Sequence, residues 1–231
     1  GETIGYAGEW RAHRAAIGAR LLRLGLGDGL DRERTDPTTP AVLDLGAGCA
    51  QMRDALGEFF GASTANSPMP IRYVASDLRR RSAGVHVDVA CDLNAGEFPR
   101  GEALTASAGL AAVTASACHL PAVVAVAATC LRSHADDSAL QVSALGVFEY
   151  MCNATQFIRG LRLYDVPVVL SYTPAQATPP PLPLASAPTR QAMADLMAAS
   201  RFALVESEAL VVFTPTAAGN YTQIVALWRP V

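Results

Sequence analysis

Three carboxylates in this sequence stand at or just after short apolar stretches, and the first of them lies beside a glycine turn. Asp44 lies within the run 41–45, two residues before Gly46, and Gly48 follows. Glycines at these positions allow a sharp turn and let the backbone approach a ligand without an intervening side chain. An acid here repels a pyrophosphate and attracts an ammonium group. The pattern therefore predicts a binding site for a ligand that carries a positively charged group.

The residues around this turn predict a strand, a turn and a helix. The run 41–45 is short, apolar and bounded by glycine, which is typical of a strand. Apolar residues then recur at helical spacing, at Met52, Ala55, Leu56, Phe59 and Phe60. Such a unit forms nucleotide-type sites at the carboxyl end of a parallel strand. Gln51 occupies the third glycine position of the dinucleotide fingerprint, so a dinucleotide is not favoured. An ordinary strand–turn–helix without a ligand is the alternative.

A second acid follows the next predicted strand. Residues 71–76, IRYVAS, have strand character and lead directly into Asp77. The second strand of a doubly wound sheet commonly ends in an acid that accepts hydrogen bonds from ribose hydroxyls. The separation from the glycine turn exceeds the usual ~20 residues, and the small-residue loop 61–70 accounts for most of the excess. Asp77 is therefore a candidate ribose ligand, and a surface acid is the alternative.

Two passages resemble the class I S-adenosylmethionine (SAM)-dependent methyltransferases. VLDLGAG, residues 42–48, resembles their first motif, whose glycine turn cradles the methionine end of SAM. YVASDL and VDVACDLNAGEFP, within residues 73–99, are similar to one group of bacterial members. The resemblance implies SAM as the cofactor, with Asp92 accepting from the adenine amine and the backbone N–H of Leu93 reaching a ring nitrogen. Ala50 departs from the motif, which often has glycine there.

A further match lies after the predicted fourth strand, 139–145. Gly146 to Tyr150, GVFEY, resembles the family pattern (S/L)-G-V-L-E-Y, where residues near the transferred methyl follow the strand. The resemblance implies that Gly146 contacts the cofactor. Glu149 and Tyr150 are the catalytic candidates by position, because an O- or N-acceptor that must lose a proton can require a general base. A hydrogen-bond anchor for a loop or for the ligand is the alternative role of Glu149.

The order of elements predicts an α/β fold with a doubly wound, seven-stranded sheet. Strands at 166–172, 202–213 and 221–229 complete it, so that a mostly parallel sheet closes with a C-terminal antiparallel hairpin. This is the order of class I methyltransferases, Rossmann-like but distinct from NAD-binding domains. The prediction is a single methyltransferase-like domain, 1–231. The loop 173–189 contains six prolines and is long enough to serve as a lid over the acceptor pocket.

The N-terminal segment 2–26 is predicted to be a helix. Its apolar residues recur at helical spacing, at Trp10, Ile17, Leu21 and Leu24. Arg14 falls on the same side, where its stem could pack while the guanidinium reaches outward.

Residues of about 100–138 form an Ala-rich insertion relative to the family. No charged residue occurs from 103 to 131, a length that could span a membrane. His119 and Pro121 lie in its middle, and alanine, serine and threonine provide little transfer energy, so a membrane span is not expected. An insertion that packs against the domain or contacts a protein partner is the favoured interpretation.

Composition limits the partners and the compartment. The net charge is −3 and all 18 basic residues are arginine, so no positive field is available to attract nucleic acid. The five cysteines are scattered without a C-x-x-C pair, which favours free thiols in the cytoplasm or another reducing intracellular compartment. No metal site is predicted, because the histidines lack partners at ligand spacing.

Two functions are compatible with these patterns. The first is SAM-dependent methyl transfer to an O or N atom of a small-molecule or glycan-type acceptor. The second is a catalytically inactive methyltransferase-fold subunit that serves as a structural or assembly component. Ala50 and the insertion favour the second to some degree. SAM binding separates the two, because an inactive subunit would often have lost it.

Overall fold

The computed structural model describes residues 4–26, 41–47, 51–59, 71–77, 89–98, 140–175, 188–212 and 221–231. The helices in these ranges are α1 (Ile4–Leu26), α2 (Gln51–Phe59), α3 (Ala154–Arg162) and α4 (Arg190–Ala199). The strands are β1 (Ala41–Leu45), β2 (Arg72–Asp77), β3 (Val89–Ala90), β4 (Leu140–Ala144), β5 (Val168–Tyr172), β6 (Phe202–Val212) and β7 (Tyr221–Pro230). The helix α1 covers most of the segment 2–26 for which a helix is predicted, and the ends of the predicted hairpin strands are confirmed within one residue.

The strands form one seven-stranded sheet in the order β3-β2-β1-β4-β5-β7-β6. Neighbours from β3 to β5 pair in parallel, whereas β7 is antiparallel to both β5 and β6. The predicted doubly wound, mostly parallel sheet with an antiparallel C-terminal hairpin is therefore confirmed, and it is the class I methyltransferase order. The chain reverses its direction of winding between β1 and β4, and ligands of open α/β sheets bind at the carboxyl ends of the strands at such a point.

Helices cover both faces of the sheet. Successive residues of each strand point to opposite faces, so apolar residues on both faces are buried. Buried residues of α1 and α2, such as Leu21 and Met52, pack with Val42 and Val225 on one face. On the other face, Phe157 of α3 and Met193 of α4 pack with the strand residues Leu43, Leu170 and Ile224. The carboxyl edge of the sheet is thus held from both sides by packed helices.

The helix α1 departs from its predicted pattern in two ways. Ile17 and Leu21 are buried as expected, but Leu24 is 47% exposed. The guanidinium of Arg14 points inward, over the turn at Gly146, rather than outward. The buried face of α1, which tertiary packing sets, is therefore rotated about the helix axis relative to the face that periodicity alone predicts. The side chain of Trp10 lies outside the described residues.

Several predicted features fall outside the described ranges. These are Gly48, Ala50, the first residues of the predicted third strand, the insertion of about 100–138 and residues 176–187 of the proline-rich loop. The two ends of that loop meet, because the N–H of Ala175 donates to the carbonyl of Pro188 at 2.9 Å. None of the helices in the part of the chain that the structure describes combines the length and hydropathy needed to cross a membrane.

Candidate functional site

The glycine turn after β1 requires glycine for its backbone. Gly46 has φ of +66°, a left-handed conformation that side chains other than glycine rarely adopt. A Cβ at this position would also overlap the side chain of Val147. The next residue, Ala47, ties the turn to β2 by donating its N–H to the carbonyl of Ser76 at 2.9 Å. The predicted sharp turn is therefore confirmed, and its contact with a ligand stays a prediction.

Asp44 is a buried acid at the centre of the sheet. It lies opposite Ala75 of β2 and Ser143 of β4 and is only 3% exposed. The hydroxyl of Tyr73 donates to Oδ2 of Asp44 at 2.5 Å. Burial raises the pKa of Asp44 to about 6, against the opposing effects of this hydrogen bond and of the positive charge on Arg14. A buried acid with few compensating charges favours a cationic ligand nearby.

The second and third acids lie at the ends of β2 and β3, as predicted. Asp77 is the last residue of β2, and its carbonyl accepts from the N–H of Cys91 at 3.0 Å. Asp92 caps a 3₁₀ turn, Leu93–Ala95, and its Oδ1 accepts from the N–H groups of Asn94 at 3.0 Å and Ala95 at 3.3 Å. This capping role was not predicted from the sequence, although aspartate before a short turn is a typical cap signal. Oδ2 is the oxygen that these two bonds do not use.

Asn94 joins the loop after β3 to the loop after β4, a link that was not predicted from the sequence. Its Nδ2 donates to the carbonyl of Tyr150 at 3.2 Å, and its Oδ1 accepts from the N–H of Cys152 at 2.8 Å. The side chain of Tyr150 itself is half exposed. The two loops expected to hold a nucleoside and an acceptor are therefore fixed relative to one another by one amide side chain.

Gly146 forms the corresponding turn after β4. Its φ is +70°, and its N–H donates to Oγ of Ser171 at 2.6 Å. A Cβ at Gly146 would overlap the guanidinium of Arg14, which lies directly over the turn. Glycine is therefore needed here both for the backbone conformation and for the space that an arginine from α1 occupies.

Glu149 is buried three residues later and is held through one oxygen. Its Oε1 accepts from Oγ1 of Thr173 at 3.1 Å and from Nε2 of Gln223 at 2.6 Å. Its Oε2 is buried and has no hydrogen-bond partner among the described residues. Burial raises the pKa of Glu149, and the positive charge of Arg14 and the two hydrogen bonds oppose that rise. An unpartnered buried carboxylate oxygen indicates a place for a ligand donor.

Arg14 connects the two acids. Its Nη1 donates to Oε1 of Gln223 at 3.4 Å, and Gln223 in turn donates to Glu149. Burial lowers the pKa of Arg14, while Glu149 and Asp44 both favour its charged form. We refer to Arg14, Asp44, Glu149, Thr173 and Gln223 as the polar cluster. Thr173 and Gln223 were not identified from the sequence; a glutamine inside the otherwise apolar stretch of β7 is the signal that could have found one of them.

The structure brings most of the predicted site residues to the carboxyl edge of the sheet. Asp44, Gly46, Gly146 and Glu149 lie on the same side as Arg14, and Asp77 is close enough to influence the pKa of Asp44. Glu149 and Tyr150 do not share an environment, since one is buried and the other half exposed. Within the described ranges, no group of three or more His, Cys, Asp or Glu residues could hold a metal ion.

Gly46→Ala should lower the free energy of unfolding by about 1–2 kcal/mol, the cost of a left-handed conformation for a residue with a Cβ. Overlap with Val147 adds to this cost. The matched control is Gly57→Ala, within α2, where a Cβ meets nothing within 4 Å. That variant should gain roughly 0.5–1 kcal/mol from helix propensity. Urea denaturation followed by circular dichroism measures both, and two changes of the same sign would contradict the assignment.

Comparison with known proteins gives only distant similarities. The sequence matches no protein-family model and no curated protein sequence. Among solved structures, it is similar to magnesium protoporphyrin IX methyltransferase from Synechocystis PCC 6803 with bound S-adenosylhomocysteine (SAH). The identity is 11%, with 99% of this chain and 90% of that chain covered and a TM-score of 0.46.

Two further structures are similar at the same level. One is a putative methyltransferase from Bacillus halodurans C-125, with 10% identity, coverage of 93% of this chain and 99% of that chain, and a TM-score of 0.43. The other is 1,6-didemethyltoxoflavin-N1-methyltransferase from Burkholderia thailandensis, with bound 1,6-didemethyltoxoflavin and SAH. Its identity is 14%, its coverage 99% of this chain and 92% of that chain, and its TM-score 0.40.

Proposed function

We propose that this chain binds SAM at the carboxyl edge of its sheet and transfers the methyl group to an O or N atom of a small molecule. The observation that carries the proposal is the position of the acids. Asp44 lies near the carboxyl end of β1, Asp77 ends β2 and Asp92 follows β3, next to a left-handed glycine turn, in a sheet with the class I order. Ligands of doubly wound sheets bind at such an edge.

The residues present fit SAM part by part. The turn at Gly46 has no room for a Cβ, and the buried Asp44 beside it favours a cationic group. Asp77 would accept hydrogen bonds from the ribose hydroxyls. Oδ2 of Asp92 and the N–H of Leu93 would hold the adenine. Gly48, which lies outside the described residues, completes the proposed set for the methionine end, together with Gly146.

SAM supplies an activated methyl group, so the chain's main task is positioning. Holding two reactants in near-attack geometry lowers the activation barrier by roughly 7–11 kcal/mol, because it raises their effective molarity. Asn94 contributes by fixing the loops after β3 and β4 to each other.

Glu149 is the proposed general base for an acceptor that must lose a proton. Its burial raises its pKa, which increases its strength as a base, and its Oε2 is available. Tyr150, half exposed, is proposed to contact the acceptor rather than to take the proton. Transfer of a deuterated methyl group from labelled SAM to compounds of a host-cell extract, read by mass spectrometry, tests the activity. SAM binding without any labelled product would favour the inactive-subunit alternative.

Asp77→Ala should weaken SAM binding by about 1.5–3 kcal/mol, because charge-assisted hydrogen bonds are lost. This corresponds to roughly a 10- to 150-fold increase in Kd. Isothermal titration calorimetry measures it, and Asp195→Ala, which removes an exposed acid on α4, is the control that should leave Kd unchanged. Equal affinities for wild type and Asp77→Ala would remove Asp77 from the cofactor site.

A further inference from the structure

The polar cluster contains more acid than base. Arg14 is close enough to two buried acids, Asp44 and Glu149, for both to favour its charged form. Each acid is only 3% exposed, and the three residues come from different elements of the fold. With both acids ionised, the cluster carries a net charge of −1. Buried charge is costly unless it is compensated, so the cluster is most stable when a ligand adds one positive charge.

Glu149 is held in a way that supports this role. Burial raises the pKa of Glu149, whereas the charge of Arg14 and the hydrogen bonds that Thr173 and Gln223 donate to Oε1 favour the ionised carboxylate. The two hydrogen bonds also fix the orientation of the carboxylate. Oε2 is buried and has no partner among the described residues. Among the described residues, Arg14 of α1 and Tyr221 of β7 interact electrostatically with Glu149, and Arg11 of α1 is close enough to act on both of them. The single charge of Arg14 compensates one of the two acids.

SAM and its product differ by one charge. The sulfonium and ammonium groups of SAM outweigh its carboxylate, whereas SAH, with a thioether, is neutral overall. We infer that the Arg14–Asp44–Glu149 cluster is a charge-selective element that binds the cationic donor more tightly than the neutral product, with Glu149 as the specificity-determining residue. This inference rests on the proposed function. Its consequence is that transfer of the methyl group removes the attraction and promotes release of SAH.

Glu149→Gln tests the inference because it removes the charge and keeps the shape. The affinities of SAM, SAH and sinefungin are measured by calorimetry; sinefungin carries an ammonium group in place of the methyl sulfonium. SAM and sinefungin should each bind about tenfold more weakly to the variant, because it no longer carries the negative charge that attracts their cationic group. SAH should bind within about twofold of wild type. Glu58→Gln, the same change at an exposed position of α2, should alter none of the three.

A second variant covers the case in which Glu149→Gln does not fold. Gln223→Leu removes one donor to Oε1, so Glu149 holds a proton for more of the time and the ratio of SAM to SAH affinity should fall in the same direction by a smaller factor. Equal weakening of all three ligands, or no change in any, would overturn the charge-selective role and leave the proposed function intact. If none of the three binds to the wild-type protein, the proposed function itself fails.

Discussion

Arg14→Met is expected to lower the free energy of unfolding by about 3–5 kcal/mol, the cost of leaving a buried charge uncompensated. The guanidinium lies over Gly146 and reaches Gln223, and its charge offsets those of Asp44 and Glu149. For a chain of this size such a loss corresponds to a fall in Tm on the order of 10 °C. Urea denaturation at pH 7.5 measures the change.

Arg53→Met is the matched control for this prediction, because Arg53 is an exposed arginine on α2. It should change the free energy of unfolding by no more than about 0.5 kcal/mol. Adding Glu149→Gln to Arg14→Met should recover roughly 1–3 kcal/mol, since one uncompensated acid is then removed as well. A cost for Arg14→Met as small as that of the control would show that the guanidinium does not compensate the cluster.

Asp44→Asn is expected to stabilise the chain at neutral pH when no ligand is bound. The pKa of Asp44 is raised from 3.8 to about 6, a rise of about two units, and each unit corresponds to ~1.4 kcal/mol. The folded form therefore binds this proton more tightly than the unfolded form. Above pH 6 the ionised carboxylate lowers the free energy of unfolding by up to about 3 kcal/mol, and this penalty disappears as the pH falls from about 6 to about 4.

The pH dependence distinguishes this effect from a simple change of packing. The stability advantage of Asp44→Asn over wild type should be largest near pH 7.5 and should fall to about half of that value by pH 5. Glu149 is present in both proteins, so its own titration largely cancels in the difference. A variant less stable than wild type at every pH would show that the hydrogen bond from Tyr73 outweighs the burial of the charge.

Local sequence signals predicted the frame of the site. The apolar run of β1, the glycines that follow it and the acid after β2 are close in sequence, and each is decided by the alternation of a strand or by the backbone of a turn. The positions of Asp44, Gly46 and Asp77 were therefore predictable. So was the antiparallel hairpin, because two long strand patterns follow one another with only a proline- and glycine-containing turn between them.

The polar cluster could not be predicted in the same way. Gln223 lies 209 residues after Arg14, and their contact depends on the rotation of α1 and on the register of β7. Periodicity placed Arg14 on the apolar side of the helix but gave no partner for its guanidinium. Asn94 shows the same limit, since its hydrogen bonds join two loops that only the crossover from β3 to β4 brings together.

SAM is proposed to occupy the carboxyl edge of the sheet, at the ends of β1 to β4. A crystal structure of the chain with bound SAM or SAH tests this placement. We expect the ribose hydroxyls on Asp77, the adenine at Asp92 and Leu93, and the methionine end at the turns of Gly46 and Gly146. A nucleoside bound at any other edge of the sheet, or a chain that takes up neither ligand at millimolar concentration, would contradict it.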